Sequence, residues 1–263
     1  MIVFAALTPH SPLLLPSVNK DKQKPIAKTK TAMAALADEL YAAKPDVILI
    51  ISSHGNLYED AFTINLHDAY RPDLSEFGDL TLHRPFSPDF KLIDDIQRAL
   101  RRKQFPIGLT SDEKLDYGAS VPLLLLTEHL PSIHIVPLSY SHLGGKEHFQ
   151  FGDALKDVLV NSNKRIAVIA SGDQSHALQT TSPAGFHKQG KAYDKAIQDA
   201  IVNRNTAQLL KLTPESLEHA HQCSYQPILM LLGIMERLSY DPVIHSYEFP
   251  FGVGYLVVHF ELG

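Results

Sequence analysis

Four stretches of this chain, Ile2–Leu7, Asp46–Ser52, Ile133–Leu138 and Arg165–Ala170, are continuous apolar runs rich in Val and Ile rather than alternating apolar–polar patterns. A strand with one face in water alternates, whereas an uninterrupted run needs cover on both faces, as in a parallel sheet sandwiched by helices. Helical periodicity lies between the runs. Lys28–Ala43 aligns Met33, Leu36, Leu40 and Tyr41, Ser87–Arg102 aligns Phe90, Ile93, Ile96 and Leu100, and Gly190–Asn203 aligns Tyr193, Ile197, Ala200 and Ile201. Strands alternating with helices predict an α/β domain with a central, mainly parallel sheet flanked by helices.

The ends of the pattern differ. Asp60–Leu66 and Asp79–Leu82 read as shorter strands, and the last twenty or so residues read as a hairpin turning at Phe251–Gly254, an antiparallel addition at the sheet edge. Pro227 is expected to open the last helix, since proline suits a first helical position. No repeat, low-complexity tract or Gly/Ser-rich linker divides the 263 residues, so one domain spanning 1–263 is expected. With 44% hydrophobic residues the core is large enough to do without disulfides, and the single cysteine, Cys223, allows none within the chain.

Charge and motif exclude several functions. A net charge of −5 gives no general attraction to nucleic acid or anionic lipid, and the one basic run, Arg98–Gln104, reads as a solvated helix end. No segment reaches the roughly 20 apolar residues of a membrane span. The apolar start lacks a basic leader and reads as a first strand, which with the lone cysteine fits a cytoplasmic protein. "LGGKEH" lacks the spacing of a phosphate-binding loop, "FGVGY" falls in a hairpin, and no Gly-x-Ser-x-Gly elbow exists.

Histidine placement points to chemistry. The chain has fourteen, and His10, His54 and His176 each follow a predicted buried strand by a few residues. Ligands of open α/β sheets bind outside the carboxyl ends of the strands, so parallel strands would bring these three imidazoles to one edge. Neutral imidazole is the commonest metal ligand, and the requirement is that the rings of residues 10 and 54 meet. His219 and His221 form a competing pair, but on a helix they would point to different faces.

"TPHSPLLLP", "SSHG", "LDYGASVPL", "ASGDQSHAL" and "FPFGVGYL" occur in order along nearly the whole chain. Together they resemble the LigB-type class III extradiol dioxygenase superfamily, which includes the Memo-like proteins. That resemblance implies an α/β fold with one divalent metal, usually Fe(II), held by two histidines and a carboxylate. It assigns His10 and His54 as ligands and His176 as the acid/base, with Asp173 in the same motif. In the enzymes a glutamate supplies the third ligand. Here Cys223 stands in that place, with Glu218 and Glu248 as other acids that could fold in, and Tyr117 replaces an active-site histidine.

The resemblance therefore implies an oxidoreductase that cleaves a small aromatic diol with O₂. The exchange at Cys223 leaves open a Memo-like protein holding Zn or Cu, with redox or protein-binding roles, since thiolate is a softer ligand than carboxylate. A helix start just after Cys223 would favour its thiolate. A zinc-bound water performing hydrolysis fits the same ligands but has no motif behind it. A homo-oligomer or a protein partner is equally compatible with the sequence.

Overall fold

The computed structural model describes residues 1–18, 24–79 and 84–263. Its strands are β1 (Ile2–Thr8), β2 (Val47–Ser52), β3 (Phe62–Asn65), β4 (Arg71–Pro72), β5 (Ser87–Pro88), β6 (Ile107–Thr110), β7 (Lys114–Leu115), β8 (His134–Ser139), β9 (Ile166–Ser171), β10 (Tyr240–Glu248) and β11 (Tyr255–Leu262). Its α-helices are α1 (Ala27–Ala43), α2 (Phe90–Arg102), α3 (Tyr117–Leu126), α4 (Gly145–Val160), α5 (Lys188–Val202), α6 (Thr206–Leu209), α7 (Pro214–Ala220) and α8 (Tyr225–Ile234).

One sheet runs in the order β10-β11-β1-β9-β2-β8-β3-β6, with β5 also paired to β8, while β4 and β7 form a separate small ribbon. The centre is parallel: β1 with β9, β9 with β2, and β2 with β8. Antiparallel pairing enters where β3 joins β8 and where the β10–β11 hairpin adds to β1. The predicted architecture, parallel inside and antiparallel towards the edges, is the one observed.

The apolar runs have the expected cause. Val47, Leu49 and Ile51 of β2 enter one core with α2, α4, α5 and α8, and Ile48 and Ile50 enter a second core with α1 and α3. A strand covered on both sides has no solvent face to alternate with. At about 25 cal/mol per Å² of apolar surface, this two-sided burial is the main force holding the sheet.

Two local expectations are corrected, and a third falls largely outside the described residues. Tyr41 and Phe90 are 53% and 52% exposed rather than part of their helices' buried faces, because Tyr41 lies just beyond the buried stripe that ends at Leu40 and Phe90 is only the first residue of α2. Pro227 is the third residue of α8, still within the first turn, where a missing N–H breaks no helical bond. Of the expected strand Asp79–Leu82, residues 80–82 lie outside the described residues. Asp79 makes an isolated bridge to Leu74. Among the described residues no helix is long and apolar enough to cross a membrane.

Candidate metal centre

The three parallel neighbours β1, β9 and β2 end side by side, and the segments leaving their carboxyl ends carry His10, His176 and His54. The chain returns from α7 to the same edge with Cys223. His10 Nε2 lies 3.1 Å from His54 Nε2 and 3.4 Å from Cys223 Sγ. Two donors about 2.1 Å from a shared ion and about 90–110° apart stand roughly 3.0–3.4 Å from each other, slightly more with sulfur. The separations are therefore those of a coordination shell, and the residues fit a metal.

Hydrogen bonding prepares the ligands. Ser171 Oγ donates to the Gly118 carbonyl, so towards His10 it acts as acceptor of the Nδ1 proton at 3.0 Å. That tautomer leaves the His10 Nε2 lone pair facing the cluster. Burial, with the neighbouring imidazoles adding to it, pushes the pKa of both His10 and His54 down to about 3, so both rings are neutral donors at ordinary pH. The His10 amide donates to Asp173 Oδ1 at 3.0 Å, and burial raises the pKa of that carboxyl to about 6.

The Asp116–Tyr117–Gly118 triplet does three jobs. Asp116 caps α3 by accepting from the Ala119 amide, and it also accepts the Ser52 hydroxyl, which in turn receives the His54 amide. Tyr117 stacks on His54 with centroids 4.2 Å apart and carries its hydroxyl 2.9 Å from His54 Nε2. At Gly118 a Cβ would stand 2.6 Å from Ser52 Oγ and 3.2 Å from His54 Cδ2, so only glycine lets α3 approach this closely.

Cys223 is anchored to Asp173. Its amide donates to the Asp173 carbonyl at 3.3 Å, and the Asp173 amide donates back to the sulfur at 3.3 Å. The expectation that a following helix favours thiolate is corrected: burial first, then the charge of Asp173, push the thiol up to about 12. Deprotonation there requires a cation.

His176 sits close enough to lower the protonation of His10 and His54, and its Nε2 is buried without a hydrogen-bond partner. His219 instead stacks on His187 at 4.3 Å, and His221 is an exposed cap of α7. Glu248 is taken by Thr29, whose amide and hydroxyl donate to it at 2.7 and 2.6 Å. Beside the cluster opens a cleft of about 370 Å³ bordered by His54, Tyr117, Phe77, Lys114, Glu76 and Asp112. The hydroxyls that sequence reasoning missed, Ser52 and Ser171, share one signal: each is the last residue of a parallel strand.

Fold and cluster together define an α/β protein with a two-histidine, one-cysteine candidate metal centre at the carboxyl edge of a parallel sheet. A family model described as the catalytic LigB subunit of aromatic ring-opening dioxygenase matches residues 4–258. The chain belongs to that family, whose dioxygenases are metal dependent. It is similar to a Clostridium acetobutylicum protein, 25% identical over 264 aligned positions that cover 97% of this chain and 56% of that protein, so it spans little more than half of that relative. It is also similar to a 4,5-DOPA extradiol dioxygenase of Beta vulgaris, 25% identical over 244 residues, covering 88% of this chain and 87% of that one. The crystal structure of an uncharacterized protein of Escherichia coli K12 shares the fold, with a TM-score of 0.65 at 18% identity, covering 99% of this chain and all of the other.

Proposed function

We propose that the chain is an extradiol dioxygenase acting on a catechol-type aromatic diol with O₂, with a divalent ion, Fe(II), held by His10, His54 and Cys223. The observation that carries this reading is the meeting of two neutral imidazoles and a thiol from three separate segments in a family of ring-opening dioxygenases. When bound, such an ion supplies a shared site for diol and dioxygen and a route for electrons between them.

The chain's own residues supply the remainder. The cleft beside His54 is open to an aromatic ring, with Phe77 and Tyr117 on its wall. Burial lowers the pKa of His176, so its partnerless Nε2 is free to accept a hydroxyl proton from the diol at neutral pH and return it to the product. Asp173, three residues earlier in the same loop, opposes that lowering and steadies the protonated ring. Burial holds the Tyr117 phenol in its protonated form, which makes its hydroxyl a hydrogen-bond donor to an oxygen of the substrate.

The test is anaerobic loading with Fe(II), then a panel of catechols, including a catechol amino acid, with oxygen. Yellow ring-opened product and one O₂ consumed per diol are expected. Iron bound one per chain at this site, with no oxygen uptake on any catechol, would sink the reading. Cys223 favours a second reading, a Memo-like Cu or Zn protein without oxygenase activity. In that case the protein as purified from cells carries copper or zinc and takes up no oxygen. In either reading we place the protein in the cytoplasm.

A further inference from the structure

A second group of ligand atoms lies between α1 and the C-terminal hairpin. Glu39 projects from α1, His245 from β10 and His259 from β11. Glu39 Oε2 is 3.2 Å from His245 Nε2 and 3.0 Å from His259 Nδ1, and all three ligand atoms fall within 4.8 Å of one another. The two carboxylate–imidazole separations are again those of a coordination shell.

The contacts are not hydrogen bonds. Glu39 Oε2, His245 Nε2 and His259 Nδ1 are each buried, and each lacks a hydrogen-bond partner. At such distances an ordinary carboxylate–imidazole pair would align its N–H with the oxygen. Three buried polar atoms crowd together at ion-pair distances with no hydrogen bond to satisfy any of them. Buried polar groups without partners are rare and costly, so three at one place call for a ligand.

The strand geometry serves the same end. β10 and β11 pair regularly from Val243 with His259 to Ile244 with Val258, and then the register jumps to Ser246 with Val257. The residue left over at this bulge is His245. Bulges re-aim one side chain without breaking the sheet, and they gather beside functional sites. His259 needs no such device. It lies on the same strand face as Val257, whose side chain packs in the core with α1. The site also has an entrance, a groove between α1 and β10 lined by Thr31, Ala35, His245 and Ser246. Thr31, Ala35 and Glu39 repeat every fourth residue, so the groove follows one helix face to the carboxylate.

We propose that Glu39, His245 and His259 form a second metal site, taking a divalent ion of the zinc class and clipping α1 to the C-terminal hairpin. Two imidazoles and one carboxylate suit such an ion, and the groove leaves a position for water.

Metal-stripped protein dialysed against Zn(II) and analysed for elements should hold two ions per chain. Glu39→Gln should hold one. His10→Ala with His54→Ala should also hold one, and zinc should still raise its melting temperature. With Co(II), the ion in that double variant should show visible ligand-field bands but no near-ultraviolet thiolate band, whereas the ion in Glu39→Gln should show the thiolate band. Should Glu39→Gln fold poorly, anomalous scattering at the zinc edge from wild-type crystals locates the ions directly. One ion at His10 and His54 only, or none at all, overturns the proposal and identifies the cluster as a carboxylate–imidazole pair. An ion found between Glu39 and His259 upholds it, whatever the first site holds.

Discussion

Asp194 offers the sharpest quantitative test. It lies on α5, 2% exposed, with Oδ1 accepting the Ser175 amide at 2.8 Å and Oδ2 accepting the Tyr247 hydroxyl at 2.6 Å. It thus ties the loop carrying Asp173 and His176 to the C-terminal hairpin. Burial raises its pKa from 3.8 to about 7, and the two donors offset only part of that. A carboxyl whose pKa is raised on folding holds a proton in the native state that the unfolded chain has released. Stability therefore declines as pH rises from about 4 to about 7 and is level above that. At about 1.4 kcal/mol per pH unit, the whole decline is roughly 4 kcal/mol, and roughly 3 kcal/mol of it falls between pH 5 and pH 8. Asp194→Asn keeps an acceptor for Ser175 and removes the titration. Urea unfolding of both proteins at pH 5 and pH 8 should show the wild type losing about 3 kcal/mol relative to the variant across that span. A difference between the two proteins that stays constant within about 0.5 kcal/mol would show the carboxylate already ionised at pH 5, and the reasoning from burial would fail.

Three further outcomes follow from packing, acid/base placement and ion binding. A Cβ on Gly152 of α4 would stand 2.1 Å from the Met230 carbonyl oxygen of α8, so Gly152→Ala should cost about 2 kcal/mol or more in urea unfolding despite alanine's better helix propensity. His176→Gln should still bind iron but lower kcat for a catechol substrate about a hundredfold or more, the usual worth of a placed acid/base group. Metal removal by a chelator should lower stability by about 2.7 kcal/mol relative to protein at a free ion concentration a hundredfold above Kd, read as a drop in Tm of several degrees.

The sheet was legible because two-sided burial writes itself into composition. β1, β2, β8 and β9 are each within a residue or so of the expected runs. His10 and His54 were legible for a related reason: a polar ring directly after a buried strand lands at the carboxyl edge wherever that strand lies. Their contact depended on strand order, with β9 between β1 and β2, which no local pattern encodes. Cys223 and Tyr117 carried no periodic signal and were visible only through family likeness. The placement of Cys223 depends on backbone pairing with Asp173, fifty residues earlier. Glu39, His245 and His259 look like ordinary helix-surface and hairpin residues in the sequence. The register jump that turns His245 towards α1 has no signature there.

The sulfur of Cys223 and the ring of His10 are 213 positions apart in the chain. Closing so long a loop is entropically expensive, and a donor set drawn from both ends has no partial form. During synthesis, then, a centre built from these residues cannot close around an ion until the chain through Cys223 has left the ribosome. Any ion for such a centre would have to meet a chain in which both ends of that 213-residue span have already come together.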